Sequence, residues 1–120
     1  MASVSIPEPN VLVLQGEIDL HASPRVKEDL LRLLEENPPR VFVDLSQVTY
    51  IDSSGMAVLI EAMQRINAYG GKLALLGLRD TVEVIFHIAR LDQVFRIFPD
   101  KAAAETALEQ YTYARGWDSS

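Results

Sequence analysis

The fold is decided by the stretch Asp44-Leu45-Ser46-Gln47-Val48-Thr49-Tyr50-Ile51-Asp52-Ser53-Ser54-Gly55-Met56. Its pattern predicts a buried strand, then a polar turn, then a long amphipathic helix. Ser53 and Ser54 lie where that helix begins. The first N–H groups of a helix are unpaired and carry partial positive charge, so an anion is tolerated there. We interpret the position as one where a serine accepts phosphate at little cost to the fold, a switch site rather than a catalytic centre.

Composition limits the classes of protein to which the chain can belong. It has 120 residues, of which 48% are hydrophobic, and this suits one domain with one core. It has no cysteine, which excludes disulfides and thiolate metal sites. The net charge of −6 argues against a general nucleic-acid-binding protein, which needs a basic face. Residues 1–10 carry no secretory signal, and no apolar run approaches the roughly 20 residues needed to span a bilayer.

Strands and helices alternate along the chain. Short apolar runs predict strands at 4–6, 11–20, 41–45, 72–76 and 94–98. Amphipathic spacing predicts helices from 23 to the prolines at 38–39, at 55–69, at 81–90 and at 101–111. The alternation predicts an α/β fold: a single domain over 1–120, with a core of about 4–111, a mixed and mostly parallel sheet of four to five strands, and about four helices. The first two strands could pair antiparallel, and 114–120 are expected to form a disordered tail.

Local spacing predicts further details of these helices. Ser23 is the expected cap of the first helix, with Pro24 at its first helical position, where the missing N–H costs nothing. On the helix at 81–90, Val84 and Ile88 are expected to be exposed, either as scattered apolar residues or as a small contact patch. The helix at 55–69 carries an apolar stripe that we expect to face the core, formed by Met56, Leu59, Ile60, Met63 and Ile66.

The serine pair allows several chemical interpretations. In the simplest, Asp52 or Ser53 caps the helix and the second hydroxyl is incidental. A functional site is favoured because the turn follows a central strand and holds three polar side chains where a cap needs one. A small serine hydrolase is a remote alternative. The nucleophile elbow G-x-S-x-G lacks its first glycine around Ser54, and His21 and His87 are the only histidines that could act as a base.

Other kinds of site have weaker signals. Asp19, Asp44 and Asp52 are spread along the sequence without ligand spacing, so no metal site is predicted. Gly70-Gly71 follows a helix instead of opening one, which indicates helix termination rather than a phosphate loop. Asp19 and His21 follow the second strand, so parallel strands would bring them to the same sheet edge as Ser54. Asp19 is equally well explained as a hydrogen-bond acceptor within a turn.

Four segments together resemble the STAS domain of bacterial anti-sigma factor antagonists. They are Gly16-Glu17-Ile18-Asp19, the stretch 43–55 with its Asp52-Ser53-Ser54-Gly55 core, Gly70-Gly71-Lys72-Leu73, and the helix and strand within 82–95. The resemblance runs from about 11 to 98, so it covers most of the chain. Arg90 departs from the pattern, since many relatives have glycine there, and His21 lies on a rim that varies across the family.

The resemblance implies a cytoplasmic binding module that is not an enzyme, needs no cofactor and does not contact nucleic acid directly. In that family the unmodified antagonist binds an anti-sigma factor that is also a serine kinase, and a sigma factor is released. The kinase, which binds the ATP, then phosphorylates the serine next to the motif glycine, which is Ser54 here, and binding is lost. A metal-dependent serine phosphatase resets the switch.

We expect the partner to dock around Ser54. The centre of the expected surface comprises Asp19, His21, Asp52, Ser53, Ser54, Gly55 and Met56. Its extension along the helix comprises Val58, Glu61, Ala62 and Arg65. Within this surface, Asp52 is expected to cap or shape the turn rather than to act as a base. An alternative with the same fold is a STAS subunit or scaffold of a transport, lipid-trafficking or sensory complex.

Overall fold

Five strands form one sheet, in which their spatial order is their order along the chain. They are β1 (Ser3–Glu8), β2 (Val11–Ile18), β3 (Arg40–Ile51), β4 (Lys72–Leu76) and β5 (Arg96–Phe98). β1 and β2 pair antiparallel, and every other neighbouring pair is parallel, so the predicted mixed sheet is confirmed. The structure is a computed structural model that describes residues 2–116, with side chains for 2–109.

Helices cover the two faces of the sheet unequally. Residues 2–116 contain α1 (Ser23–Leu34), α2 (Ser53–Ala68), α3 (Asp80–Ile88) and α4 (Lys101–Gly116), with a 3-10 turn at Leu91–Gln93. Because successive side chains of a strand point to opposite faces, β3 directs Val41 and Val43 to one face and Phe42 to the other. The first face packs against α1, α2 and α3. Ala104 and Leu108 of α4 pack on the second face with Phe42.

β3 continues well beyond the strand predicted at 41–45. Residues 46–51 extend the strand, and the pairing with β2 reaches Ile18 opposite Ile51. Val48 and Ile51 are buried, whereas Thr49 and Tyr50 between them are exposed. The predicted strand was too short because the exposed positions of this part of the strand interrupt its apolar run. The consequence is that β3 leads directly into Asp52 and the start of α2.

The predicted cap of α1 is also corrected. Ser23 is the first helical residue and is buried, and its hydroxyl donates to the Leu20 carbonyl at 3.4 Å. Asp19 holds the helix entry instead, since its carbonyl accepts from Ser23 N–H at 2.8 Å and its Oδ1 accepts from Ala22 N–H at 3.0 Å. Pro24 is therefore the second helical residue, which still lies in the first turn, where its missing N–H leaves no bond unmade.

Arg90 adopts the left-handed conformation where α3 ends, with φ 61° and ψ 22°. Glycine adopts this conformation without the steric cost of a Cβ, so the backbone here favours glycine over arginine. α3 stops at Ile88, and the 3-10 turn follows. Val84 and Ile88 are 55% and 75% exposed, so their predicted exposure is confirmed.

α4 extends to Gly116, beyond the end predicted at 111. The side chain of Tyr111, expected on the inward side of this helix, and residues 117–120 of the expected tail lie outside the described residues. Within 2–116, none of the helices combines the length and the apolarity needed to cross a bilayer.

Candidate functional site

Asp52 caps α2 and holds the Ser54 hydroxyl. Its backbone is extended (φ −104°, ψ −174°), and its Oδ1 accepts from the N–H groups of Ser54 at 2.9 Å and Gly55 at 3.2 Å. The same oxygen accepts a hydrogen bond from Ser54 Oγ at 2.5 Å. Ser53 is exposed and Ser54 is half-buried. Both serines therefore lie in the first turn of α2, and the capping role expected for Asp52 is confirmed.

The ends of β2 and β3 meet beside this turn. The Ile18 carbonyl accepts from Asp52 N–H at 3.2 Å, and the backbone N–H of Leu20 lies near enough to the Asp52 carboxylate to help lower its pKa. Gly16 has a φ of 91°, which glycine favours, and the pairing moves from Gly16–Val48 to Glu17–Tyr50, so Thr49 is the extra residue of a bulge in β3. The loop between β2 and α1 consequently lies against the start of α2, as expected for neighbouring parallel strands.

Asp19 and His21 shape the loop between β2 and α1. Asp19 Oδ1 accepts from the backbone N–H groups of His21 and Ala22, both at 3.0 Å, so Asp19 serves as the turn acceptor. The His21 side chain is exposed, and its ring makes no hydrogen bond or ion pair within residues 2–109. Between them lies Leu20, which is 70% exposed. Leu20 was predicted as the last residue of the strand at 11–20, but β2 ends at Ile18 and Leu20 lies in the loop.

Convergent donors hold the pKa of the Asp52 carboxyl below its ordinary value. The Ser54 hydroxyl is the largest cause, and the backbone N–H groups of Gly55, Ser54 and Leu20 act in the same direction, while desolvation opposes them. Each of these donors favours the charged form of the carboxyl. Asp52 is therefore ionised at neutral pH, and the proton of Ser54 Oγ points toward it.

The comparisons with known proteins agree with this geometry. The family model of the STAS domain matches residues 2–104. The chain belongs to the STAS domain family. An anti-sigma-B factor antagonist from Listeria monocytogenes is 31% identical over 86 residues, which are 72% of this chain and 75% of that protein. The resemblance to STAS-domain anti-sigma factor antagonists is thus confirmed.

Solved structures share the fold of this STAS domain. An anti-sigma factor antagonist from Mycobacterium paratuberculosis has a TM-score of 0.75 at 23% identity, with 91% of this chain and 93% of that chain covered. The Bacillus cell fate determinant SpoIIAA in its phosphorylated form has a TM-score of 0.64 at 17% identity, with 89% and 99% covered. Likeness at these identities supports the α/β fold.

Gly55 brings α2 of the STAS domain close to the end of β2. A Cβ at this position would lie 2.7 Å from the Ile18 carbonyl oxygen and 2.8 Å from Ile51 Cγ1. Such distances are too short for a real contact, so only glycine allows this approach. The expected place of Gly55 on the docking surface is corrected, because the residue is buried and faces the sheet.

The buried face of α2 is rotated from the predicted stripe. Val58 and Ala62, expected on the docking surface, are only 8% and 0% exposed. Small residues allow α2 to approach both α1 and the sheet closely. The buried face of the helix therefore includes these small residues, and the larger side chains lie at its edge. The buried residues are Gly55, Val58, Leu59, Ala62 and Ile66. The larger residues Met56, Ile60 and Met63 are half-buried at the flank.

Glu61 and Arg65 remain accessible along α2. Glu61 Oε1 lies 3.4 Å from Lys27 Nζ of α1, and its Oε2 lies 3.8 Å from Arg65 Nε. Exposed pairs of this kind contribute little to stability, although they orient the side chains. Two of the four residues expected to extend the docking surface are therefore on the surface of the STAS domain, and two are not.

Across residues 2–109, no hydrogen bond joins a histidine to Ser54. Ser54 Oγ donates to Asp52, and His87 lies on α3, where its Nδ1 is 2.9 Å from Asp92 Oδ2. The serine–histidine hydrogen bond on which a serine hydrolase depends is therefore not formed among these residues. In the same part of the chain, no group of three or more His, Asp or Glu side chains is close enough to hold a metal ion.

Substitutions of Asp52 separate the contribution of its capping hydrogen bonds from the contribution of its negative charge. We expect Asp52→Ala to lower the melting temperature and Asp52→Asn to retain most of it, because asparagine is also a good N-cap. Since the pKa of Asp52 is lowered by folding, its charge stabilises the fold at neutral pH, and this contribution is lost as the pH falls through the folded-state pKa. Urea unfolding at neutral and acidic pH should show the difference between wild type and Asp52→Asn shrinking in acid. An unchanged difference would contradict the electrostatic contribution.

Proposed function

We propose that this STAS domain is an anti-sigma factor antagonist whose partner binding is switched off by phosphorylation of Ser54. The observation that carries the proposal is the position of Ser54 Oγ, half-exposed in the first turn of α2 and 2.5 Å from Asp52 Oδ1. The dipole of α2 favours negative charge at this end of the helix. The 31% identical relative is named as an anti-sigma-B factor antagonist, which supports the same role here.

Phosphorylation would act on the partner rather than on the fold. A phosphate adds about 1.5 to 2 negative charges at neutral pH. It also removes the proton that Asp52 accepts, so the phosphoryl group turns away from the carboxylate and toward solvent. In an interface, the added bulk and the cost of desolvating a dianion prevent close contact. That SpoIIAA has a phosphorylated form with a similar fold supports a modification that the domain tolerates.

The proposed partners follow from the family resemblance. The anti-sigma factor is also the serine kinase and binds the ATP, and a metal-dependent serine phosphatase removes the phosphate. The STAS domain is then a cytoplasmic regulatory binding module and not an enzyme, and Asp52 positions the acceptor hydroxyl at the base of the surface. The proposed docking surface, reduced to its accessible members, comprises Asp19, His21, Ser53, Ser54, Met56, Glu61 and Arg65.

Phosphate transfer from purified kinases tests the proposal. The chain is incubated with magnesium ATP and, in separate reactions, with each candidate anti-sigma factor kinase of the same cell, and phosphorylated positions are mapped by mass spectrometry. We expect one kinase to bind the chain and to add a single phosphate at Ser54. Transfer to another residue, or binding without transfer, would contradict the proposal. Stable binding to a transporter subunit without modification of Ser54 would favour the scaffold alternative.

A further inference from the structure

Leu20 is an exposed apolar residue that lies beside the phosphate-acceptor site. Its side chain is 70% exposed. Leu20 follows Ile18 by two residues, and the Ile18 carbonyl accepts from the Asp52 N–H at 3.2 Å, so the Leu20 backbone lies beside the carboxylate that accepts the hydrogen bond from Ser54 Oγ. Leu20 and Ser54 are therefore at the same edge of the sheet, next to Asp52. Singly exposed leucines are common on protein surfaces, but this one lies beside the hydroxyl that we propose is phosphorylated.

The loop that carries Leu20 has hydrogen bonds on both sides of the leucine. The Leu20 carbonyl accepts from the buried Ser23 hydroxyl at 3.4 Å, and the loop is closed by the hydrogen bonds from His21 and Ala22 to Asp19. A side chain presented by a pre-organised loop loses less conformational entropy on binding than one on a mobile loop. Apolar anchors of this kind, inserted in a partner pocket, supply much of the energy of protein interfaces.

The surroundings of Leu20 carry mostly negative charge. Glu17 at the end of β2 is exposed, Asp19 precedes the leucine in the loop, and Asp52 lies beside the end of β2. Arg25, the first basic residue of α1, is paired with Asp29 at 2.8 Å and so is partly neutralised. A partner that buries Leu20 must therefore present an apolar pocket, with cationic side chains at the rim that faces these carboxylates.

We infer that Leu20 is the apolar anchor of the interface and that it inserts into an apolar pocket of the anti-sigma factor rimmed by arginine or lysine. The inference rests on the proposed function, and it specifies the chemistry of the anti-sigma factor surface that binds this site. It also gives the switch a steric component. A phosphoryl group on Ser54 stands beside the anchor and keeps Leu20 out of its pocket, whatever attraction the rim exerts on the added charge.

The inference is tested by comparing two exposed apolar residues. Leu20→Ala and the control Ile88→Ala, on the distant helix α3 and 75% exposed, are titrated against the purified anti-sigma factor kinase that phosphorylates the wild-type chain. Leu20→Ala should raise the Kd by about tenfold or more, and Ile88→Ala by less than about twofold. Both variants should melt like wild type. Equal affinities of Leu20→Ala and wild type for the kinase would show that Leu20 is not an anchor of the interface.

The result also separates failure of the inference from failure of the proposed function. In one outcome, the kinase binds the wild-type chain and phosphorylates Ser54 while Leu20→Ala binds equally well. In that case the proposed function is supported, and the role of Leu20 as an anchor is wrong. If no such kinase binds the wild-type chain, both are wrong.

A salt titration tests the charge of the pocket rim independently. The association rate of wild type should fall as salt is added, and Glu17→Gln should reduce that dependence. An association rate that does not change with salt would contradict a cationic rim.

Discussion

Ser54→Ala is expected to abolish phosphate incorporation by the partner kinase while the domain remains folded. The substitution removes the acceptor oxygen and one hydrogen bond to Asp52, but the two backbone N–H groups that Asp52 caps are unchanged. Loss of one hydroxyl hydrogen bond lowers the free energy of unfolding by about 1 kcal/mol. Radiolabel transfer measures the effect on phosphorylation, and circular dichroism monitors the fold.

Ser53→Ala is the matched control for this prediction. Ser53 precedes Ser54 in the first turn of α2 and is exposed, but its hydroxyl has no hydrogen bond among the described residues. The control variant should still accept one phosphate at Ser54, at a rate reduced only by the loss of a Ser53 contact on the proposed docking surface. If Ser53→Ala lost incorporation and Ser54→Ala kept it, the acceptor would be Ser53, and the geometric argument based on Asp52 would be wrong.

Gly55→Ala is expected to lower the free energy of unfolding by about 1–3 kcal/mol, the range for overpacking a well-packed core. The added methyl group would meet the Ile18 carbonyl oxygen at 2.7 Å, and that backbone atom belongs to β2 and has little freedom to move. Relief would require α2 to shift away from the strand. That shift would displace Ser54 from the loop between β2 and α1, so partner binding should weaken as well.

Ala57→Leu provides the control for the effect of size. Ala57 lies on the exposed side of the same helix, so a larger side chain there points to solvent. Its effect on the free energy of unfolding should stay within about 0.5 kcal/mol. Urea denaturation of both variants measures the difference. Equal stability of Gly55→Ala and wild type would show that α2 can move without cost, and the close approach at Ile18 would then have no structural importance.

The regular elements of the fold were predictable from local patterns. β4 was predicted at its observed bounds because a dense apolar run is enclosed by glycines at 71 and 77. α2 was predicted to within two residues at its start because Asp52 is a strong cap and the apolar spacing after it is helical. Parallel pairing followed from the alternation of strands and helices, and it placed the ends of β2 and β3 side by side.

Features that depend on packing between elements were not predictable in the same way. The buried face of α2 was misplaced because Gly55 and Ala62 mark the closest approach to other elements, whereas the large side chains used for the prediction flank it. The extension of β3 was missed because its exposed residues are polar. The exposure of Leu20 was missed because β2 ends at Ile18, where the Asp52 N–H donates to the Ile18 carbonyl and joins segments far apart in the sequence.

The central claim is that a phosphate on Ser54 changes what binds the domain and leaves the domain itself folded. The most direct measurement compares the unmodified chain with the chain phosphorylated at Ser54, in affinity for the same anti-sigma factor and in melting temperature. We predict that phosphorylation raises the Kd by about a hundredfold or more, which corresponds to about 2.7 kcal/mol, with little change in the melt. Equal affinities of the two forms, or unfolding of the phosphorylated chain, would contradict the account.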